Sequence, residues 1–243
     1  MPVDTLYRQD FTLLTSEATV TAVNDDGTFE LDRTCFYAAS GGQPGDTGHV
    51  ERADGSRIGL DATRHGAGKD IVLHVPSPGE PLPAVGERLV LHVDGTRRAK
   101  LSRMHTACHL LSVVCSFPIT GAAVGEDESR VDFDMSETVD RNAVTAELMK
   151  LVEADHPVYV RWITDEELVA NPGLVKSKSV RPPVGFGKVS LVCIGKDAAV
   201  DSQPCGGTHV SSTGEIGPIH IAKIEKKGRE NRRFRIRFGA AEN

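Results

Sequence analysis

The sequence predicts an α+β protein, in which a small N-terminal β-barrel precedes a domain of sheets with packed helices. Two observations carry this prediction. Up to about Val93, short alternating segments are separated by turn residues, a spacing typical of small barrels. From Asp94 onward, helical periodicity alternates with strand patterns. We therefore place a barrel domain at 1–93 and a second domain at 94–243.

Six short strands are expected in the barrel domain. The first two form a hairpin, because Asp26 and Gly27 between them are a strong turn signal. The predicted strands span 18–23, 28–31, 48–51, 57–60, 71–75 and 87–93.

A loop at 39–48 contains four glycines together with polar side chains. Its backbone and amide groups are available to a ligand, so Gly41, Gly42 and Gln43 are candidate substrate-binding residues. The loop lacks the Gly-x-x-x-x-Gly-Lys spacing of a nucleotide-binding P-loop. A purely structural turn is the alternative, because glycine commonly supplies positive φ in loops.

Helices and strands are expected to alternate in the second domain. Asp94 is a favourable N-cap for a helix at 96–116, which Phe117 and Pro118 end. A second helix is predicted at 138–155, and the capping-box form of 164–167 predicts a third, short helix. One strand is predicted to begin at Arg130. Four more are predicted at 158–163, 189–194, 219–224 and 233–238.

Composition narrows the class of protein. A formal net charge of -6 argues against a general affinity for nucleic acid along the whole chain. No apolar run approaches the roughly 20 residues of a membrane-spanning helix, and the N-terminus does not resemble a secretory leader. Five cysteines in 243 residues do not resemble a disulfide framework. We therefore expect a cytoplasmic protein with no membrane partner.

One basic segment stands out from this acidic background. Residues 223–237 contain eight basic residues and two acidic ones. Strict alternation at 233–238 predicts a strand that buries its apolar side chains and presents arginines on the other face. Guanidinium groups match phosphate oxygens, so Arg233 and Arg235 are candidate RNA contacts. A solvated outer face of a final strand explains the pattern equally well.

Two short motifs about a hundred residues apart contain the side chains best suited to bind a metal ion. On a helix, His105 and His109 lie on one face and can grip a single ion. Cys205 and His209 offer a thiolate and an imidazole at the same spacing. Three nitrogens and one sulfur form a ligand set that zinc favours. We therefore predict a shared zinc site, although this spacing is a weak signal alone and unrelated structural residues are the alternative.

These motifs and several others occur in an order that resembles the editing region of alanyl-tRNA synthetase. The resemblance extends from about residue 5 to 238. We expect the chain to be too short for an aminoacylation domain, so it resembles the free-standing alanyl-tRNA editing proteins of the AlaX family, of the medium-length type. The motifs that carry the resemblance are Gly41-Gly-Gln43, Asp46-Thr-Gly48, His105-Thr-Ala-Cys-His109, Arg130-Val-Asp-Phe133, Cys205-Gly-Gly-Thr-His209 and Thr213-Gly-Glu-Ile-Gly217.

The resemblance implies an editing domain of the type common to threonyl- and alanyl-tRNA synthetases. It implies hydrolysis of the ester that joins a wrong amino acid, chiefly serine and also glycine, to tRNA(Ala). Thr120 would place a hydroxyl near the substrate side chain, with a plain turn role as the alternative. Arg130 and Asp132 are candidate substrate or tRNA contacts. The implied zinc ligands, which are also the implied catalytic centre, are His105, His109, Cys205 and His209.

Two roles for the zinc ion and two other functions remain open at this point. Four protein ligands form the closed pattern of structural zinc, so the ion either orders the site or changes its coordination to activate water. No Glu lies between His105 and His109 to act as a base, which favours the ordering role. One alternative function is a different zinc hydrolase that acts on a small ester or amide. The other is an RNA-binding module that a zinc ion stabilises and that catalyses no reaction. The oligomeric state is not predicted.

Overall fold

The computed structural model describes residues 2–178 and 187–240. The chain divides into two compact units, Met1–Ala99 and Lys100–Asn243. The predicted α+β fold class is confirmed, because the first unit contains a closed barrel and the second contains sheets with packed helices. Among the described residues, none of the helices combines the length and the apolar character needed to cross a membrane.

The first unit is built around a barrel of antiparallel strands. Its strands follow one another around the barrel in the order β2-β3-β7-β6-β5-β8, while β1 and β4 form a separate parallel pair. All six predicted strands are present, and the one predicted at 57–60 extends to His65. The strands of this unit are β1 (Asp4–Thr5), β2 (Thr15–Val23), β3 (Phe29–Leu31), β4 (Arg33–Thr34), β5 (Gly48–Glu51), β6 (Arg57–His65), β7 (Val72–Pro76) and β8 (Arg88–Val93).

Alternation along the strands separates a buried face from an outer face. Val50 and Leu91 are fully buried, whereas their neighbours His49 and His92 are not. This period of two is what a pleated strand imposes when one of its faces covers a core. The buried side chains that form the barrel core include Val20, Phe29, Leu31, Phe36, Val50, Ile58, Leu60, Leu89 and Leu91.

The barrel core also encloses one imidazole. The Nε2 atom of His74 lies 3.0 Å from the hydroxyl of Thr34, and the ring stacks on Phe29 with centroids 5.3 Å apart. Burial lowers the pKa of His74 to about 4. His74 is therefore neutral near pH 7.

The second unit contains two sheets and the helices that pack on them. The four-stranded sheet has the order β14-β15-β10-β9, and the three-stranded sheet has the order β11-β12-β13. Helix α1 begins in the first unit and continues into the second. The elements are α1 (Gly95–Val114), β9 (Ile119–Ala123), β10 (Glu128–Asp134), α2 (Arg141–Glu153), β11 (Val158–Thr164), α3 (Asp165–Ala170), β12 (Lys188–Ile194), β13 (Asp201–Pro204), β14 (Ile219–Gly228) and β15 (Asn231–Phe238).

Helix ends follow capping chemistry. The Asp94 carboxylate accepts a hydrogen bond from the Arg97 backbone N–H at 3.0 Å, as its predicted N-cap role requires. The capping box of α3 is present. Helix α2 begins three residues later than predicted, because the Asp140 side chain caps it by accepting from Ala143 N at 2.7 Å. Strands β9 and β13 were not predicted, since their sequences lack a run of alternating large apolar residues.

A single hydrophobic core joins α1 to the sheets of the second unit. Leu101, Met104 and Leu111 of α1 are fully buried in it. Strand residues complete this core from β10, β14 and β15, and α2 contributes three buried side chains. Helix α1 is therefore held along much of its length by apolar packing. The strand and α2 residues of this core include Val131, Phe133, Val144, Leu148, Val152, Ile219, Ile221, Phe234 and Ile236.

Candidate metal centre

Helix α1 presents two imidazoles within its buried portion. His105 and His109 lie one turn apart, and their rings meet edge to face with centroids 5.2 Å apart. Both side chains are almost fully buried. A buried imidazole needs hydrogen-bonding or metal partners, because desolvating its nitrogens without them is unfavourable.

The segment that follows β13 brings a thiol and a third imidazole to the same place. The Sγ atom of Cys205 lies 3.5 Å from His105 Nε2 and 3.4 Å from His209 Nε2. One potential ligand atom from each of His105, His109, Cys205 and His209 lies within 4.8 Å of the other three. The structure therefore brings the two motifs together, although about a hundred residues separate them.

These spacings fit a tetrahedral zinc site. Zinc–ligand bonds of about 2.0–2.3 Å give a tetrahedron whose edges are roughly 3.3–3.6 Å long. The two measured sulfur–nitrogen distances, 3.4 and 3.5 Å, lie within that range. The donor set of three imidazoles and one thiolate is also one that zinc prefers. These residues could hold a zinc ion with small side-chain adjustments.

Polar groups outside the cluster lie beside the Nδ1 atoms of two of the imidazoles. The Thr106 hydroxyl donates to the backbone oxygen of Ser102 at 2.9 Å, so it can accept from His209 Nδ1, which lies 3.1 Å away. The Nδ1 atom of His109 lies 3.3 Å from a carboxylate oxygen of Asp201. A proton held at Nδ1 leaves the Nε2 lone pair directed into the cluster, as in carboxylate–histidine–zinc arrangements.

Asp201 itself lies in a network of charges. Its carboxylate accepts from the Gln203 amide at 2.7 Å and from the Lys176 ammonium at 2.5 Å. Burial raises the pKa of Asp201, but His109 and Lys176 outweigh it and lower the pKa to about 2. The carboxylate therefore stays ionised over the ordinary pH range and can fix the orientation of His109.

The surroundings of the cluster favour opposite charges on two of its side chains when no metal ion is bound. Burial lowers the pKa of His109, but Asp201 and Cys205 outweigh it and raise the pKa to about 9. Burial raises the pKa of the Cys205 thiol, but the imidazoles around it, His105 above all, hold the pKa well below its usual range. Burial also lowers the pKa of His209. The arrangement thus favours a thiolate at Cys205 and an extra proton at His109, which a metal ion would displace.

Cys108, on the same helix as the two histidines, has the opposite environment. It is buried against apolar side chains, and burial raises its pKa to about 12. It remains a thiol and does not belong to the cluster, so Cys205 is the cysteine that suits a metal.

The polar partners Thr106, Lys176 and Asp201 were missed by the sequence analysis. A signal for Asp201 was present, since residues 201 and 203 share one face of a strand that leads directly to Cys205. No comparable signal existed for Lys176, because only the tertiary fold brings residues 176 and 201 together.

Arg233 and Arg235 form the arginine face of β15, and both pair with carboxylates. Neither the RNA-contact nor the solvated-face explanation of this strand predicted such pairs. Arg233 forms a bidentate pair with Asp132, with both N–O distances 2.8 Å. Arg130 also contacts Asp132, at 2.7 Å. Arg235 pairs with Glu128 and with Glu225. The register sets Arg233 directly opposite Asp132, whereas Arg235 reaches Glu128 and Glu225 diagonally, two residues along β10 and β14 from its direct partners.

Thr120 lies in β9, so the alternative that it forms a plain turn is wrong. Its hydroxyl donates to the backbone oxygen of Asp132 at 3.2 Å and accepts from the Asn231 amide at 2.8 Å. The O–H donor is therefore used within the protein, and further recognition by this hydroxyl would be as an acceptor.

The Gly-rich loop belongs to the first unit and is a well-packed turn. Gly41 and Gly42 have φ values of 58° and 86°, and Ser40 and Gln43 exchange backbone hydrogen bonds across them. This is the geometry of a type I′ turn, which favours glycine at both central positions. Gln43 is buried. The turn accounts for these two glycines without a ligand, and a role in substrate binding stays a prediction.

The same loop contributes a buried ion pair. Asp46 and Arg98 are both nearly inaccessible to solvent, and Arg98 Nε lies 2.9 and 3.0 Å from the two carboxylate oxygens. Asp46 also accepts from the backbone N–H of Tyr37 at 2.6 Å. This pair ties the loop to the start of α1 within the first unit.

Comparison with known proteins identifies the family to which this chain belongs. A family model described as the threonyl and alanyl tRNA synthetase second additional domain matches residues 189–235, which include Cys205 and His209. An alanyl-tRNA editing protein AlaX-M from Methanosarcina acetivorans is 35% identical over 245 residues, 95% of this chain and 97% of that protein. The chain belongs to the AlaX-M family. The resemblance inferred from the motifs is therefore confirmed.

Other relatives of the family extend this result. AlaX-M from Methanosarcina barkeri is 36% identical over 244 residues, with 95% of this chain and 97% of that protein covered. An alanine–tRNA ligase from Pyrobaculum arsenaticum is 36% identical over 232 residues, which are 91% of this chain but 25% of that enzyme. This chain is therefore similar to one part of a much longer synthetase.

Proposed function

We propose that this protein hydrolyses the ester that joins serine, and also glycine, to tRNA(Ala) in the cytoplasm. The observation that carries the proposal is the convergence of three imidazoles and one thiolate, in a member of a family named for alanyl-tRNA editing. In the reaction, the oxygen of water bonds to the acyl carbon and the bond to the ribose oxygen breaks. That ribose oxygen takes up a proton, so the products are the free amino acid and the tRNA.

The same proposal assigns His105, His109, Cys205 and His209 as zinc ligands. A zinc ion bound there supplies Lewis acidity and a fixed positive charge. Because four protein ligands complete a tetrahedron, we assign to the ion the task of ordering the site, while neighbouring groups position the water. Thr106 and Asp201 then act as positioning residues, since each lies against the Nδ1 atom of a ligand.

Selection of serine over alanine requires a group that recognises the seryl hydroxyl. Thr120 suits this task as an acceptor, because its own O–H is directed at the backbone oxygen of Asp132. A site that hydrogen-bonds a substrate hydroxyl discriminates strongly against an analogue that lacks it. Alanine offers no such hydroxyl, so the correctly charged tRNA would be spared.

The charged face of β10 and β15 is the proposed RNA contact. Its arginines, among them Arg130, Arg233 and Arg235, are held by carboxylates, which fixes their geometry but reduces their net charge. A preorganised guanidinium loses little side-chain entropy when it meets a phosphate. RNA binding at this face would therefore depend more on how the guanidinium groups are oriented toward the phosphates than on the net charge of the face.

The decisive assay follows release of the amino acid from Ser-tRNA(Ala), Gly-tRNA(Ala) and Ala-tRNA(Ala). We expect fast loss of the seryl ester, loss of the glycyl ester, and sparing of the alanyl ester by roughly 100-fold or more relative to serine. Equal, slow decay of all three esters with tight tRNA binding would instead identify an RNA-binding module without catalysis.

Matched cysteine variants test the role of the cluster. Cys205→Ala should lose the zinc ion of this cluster together with deacylation, whereas Cys115→Ala, which removes a buried thiol outside the cluster, should keep both. Full activity of Cys205→Ala without the ion of this cluster would remove that ion from the mechanism.

Thr120 is tested separately through selectivity. Thr120→Val should narrow the difference between seryl and alanyl esters, while Thr120→Ser, which keeps a hydroxyl, should preserve it. Unchanged selectivity in Thr120→Val would show that another group recognises serine.

A further inference from the structure

A second group of metal-ligating side chains lies in the first unit, on the outer face of the barrel. His49 and Glu51 are two residues apart on β5, on the opposite face from the buried Val50. His92 lies on β8 and is the direct cross-strand partner of His49. The strand pairing therefore projects these three side chains from one small patch of the barrel surface.

The three side chains are already close together. One potential ligand atom from each of His49, Glu51 and His92 lies within 4.8 Å of the other two. The two imidazoles stack with centroids 4.8 Å apart and an interplanar angle of 15°. Small rotations about their side-chain bonds would bring the ligand atoms to the roughly 3.3 Å separation of neighbouring donors around one ion.

One of these donors lacks a partner. The Nε2 atom of His49 is buried and makes no hydrogen bond to any of the residues that the structure describes. A buried ring nitrogen in this condition is unfavourable unless another group satisfies it. A cation shared with His92 would satisfy it.

The backbone holds the two strands in the register that the site needs. Gly48 precedes His49, and a Cβ atom at this position would lie 2.1 Å from the backbone oxygen of His92. Any larger residue at 48 would push β5 away from β8. Glycine thus permits the close approach that sets His49 opposite His92.

Glu51 has a competing partner that does not prevent coordination. Arg57 Nε lies 3.0 Å from one carboxylate oxygen of Glu51, and the arginine side chain is 64% exposed. Exposed ion pairs of this kind contribute little to stability. The carboxylate also has a second oxygen, which can ligate an ion while the first stays with Arg57.

We propose that His49, Glu51 and His92 bind a divalent transition-metal ion, separate from the cluster of His105, His109, Cys205 and His209. Two imidazoles select Zn²⁺, Co²⁺, Ni²⁺ or Cu²⁺ over Mg²⁺ and Ca²⁺, which prefer sites composed only of oxygen ligands. Three protein ligands leave at least one coordination position for water or an external ligand. The ion also clamps β5 to β8, which are joined directly in the barrel but lie far apart along the chain.

The test is equilibrium dialysis of the metal-stripped full chain against Zn²⁺, with bound metal counted per chain. We expect two ions in the wild type, one in His49→Ala, one in Cys205→Ala and none in the double variant. His92→Gln keeps the size of the side chain and should also bind one ion. His65→Ala, which removes a histidine outside both groups, should still bind two.

Cobalt distinguishes the two sites in the same proteins. One equivalent of Co²⁺ should develop a sulfur-to-cobalt charge-transfer band that is absent from Cys205→Ala, and the ion at His49 should add no such band. An ion count that is the same in His49→Ala and His92→Gln as in the wild type would overturn the proposal. So would a second ion that saturates only at millimolar Zn²⁺. Loss of the charge-transfer band alone would count against the zinc cluster, not against this site.

Discussion

Replacing Asp201 with asparagine removes a negative charge that lies against a proposed zinc ligand. Asp201 Oδ2 is 3.3 Å from His109 Nδ1, and the same carboxylate is held by Gln203 and Lys176. Asparagine keeps the size of the side chain but loses the charge that raises the pKa of His109 and favours its Nδ1 proton. We therefore expect weaker zinc binding without collapse of the fold.

The expected magnitude follows from the position of Asp201 behind His109. Loss of such an outer partner typically weakens metal binding by about 10- to 100-fold. We expect the lower end of this range, about 10-fold or 1.4 kcal/mol, because asparagine still offers one oxygen as an acceptor. The substitution also leaves Lys176, which is 27% exposed, without its carboxylate partner. A modest loss of stability should accompany the loss of affinity.

Chelator competition for Zn²⁺ measures the affinity, and urea unfolding measures the stability of each variant. Asp127→Asn serves as the matched control, because the Asp127 side chain is 86% exposed. Asp201→Asn combined with Lys176→Met removes both charges, so it should recover stability but not zinc affinity. Wild-type affinity in Asp201→Asn would refute the idea that this carboxylate orients His109. If the double variant recovered wild-type zinc affinity, the weaker zinc binding of Asp201→Asn would result from its lower stability alone.

Three further predictions concern the barrel and the arginine face. Between pH 6.5 and about 4, an unfolded chain binds a proton at His74 that the folded barrel excludes. The free energy of unfolding should therefore fall by about 3 kcal/mol as the pH drops through this window. A His74→Gln variant with the same pH dependence of urea unfolding would refute this origin. Arg98→Met should destabilise the protein by about 3–5 kcal/mol in urea, because it leaves the Asp46 carboxylate buried without its counterion; a loss below about 1 kcal/mol would contradict the buried pair. Arg233→Met combined with Arg235→Met should weaken tRNA binding and reduce its salt slope by about 2, one for each lost phosphate contact. An unchanged slope would mean that these arginines serve only their carboxylate partners.

Local sequence patterns predicted most of the elements because neighbouring residues control them. The capping box before α3 and the turn at Asp26 and Gly27 each depend on contacts within a few residues. Strand β13 escaped prediction for the opposite reason. Its short sequence has no strong preference, and pairing with β12 is what makes it a strand.

The arginine face illustrates the limit of reasoning from alternation. The period of two correctly predicted that Phe234 and Ile236 are buried. It could not reveal that Asp132 and Glu128 lie opposite the arginines, because that depends on the register between β10 and β15. A pattern that suggested unpaired positive charge is therefore a set of ion pairs in the folded protein.

The sequence alone identified the four residues that form the candidate metal cluster. Helical periodicity puts His105 and His109 on one face, and the chemistry of imidazole and thiolate names the metal that such donors prefer. Folding in three dimensions was required to bring Cys205 to within 3.5 Å of His105 and to set Asp201 behind His109. The physical reason is the separation along the sequence over which each interaction acts. Periodicity and capping depend on residues a few positions apart, whereas strand pairing and core packing join segments about a hundred residues apart.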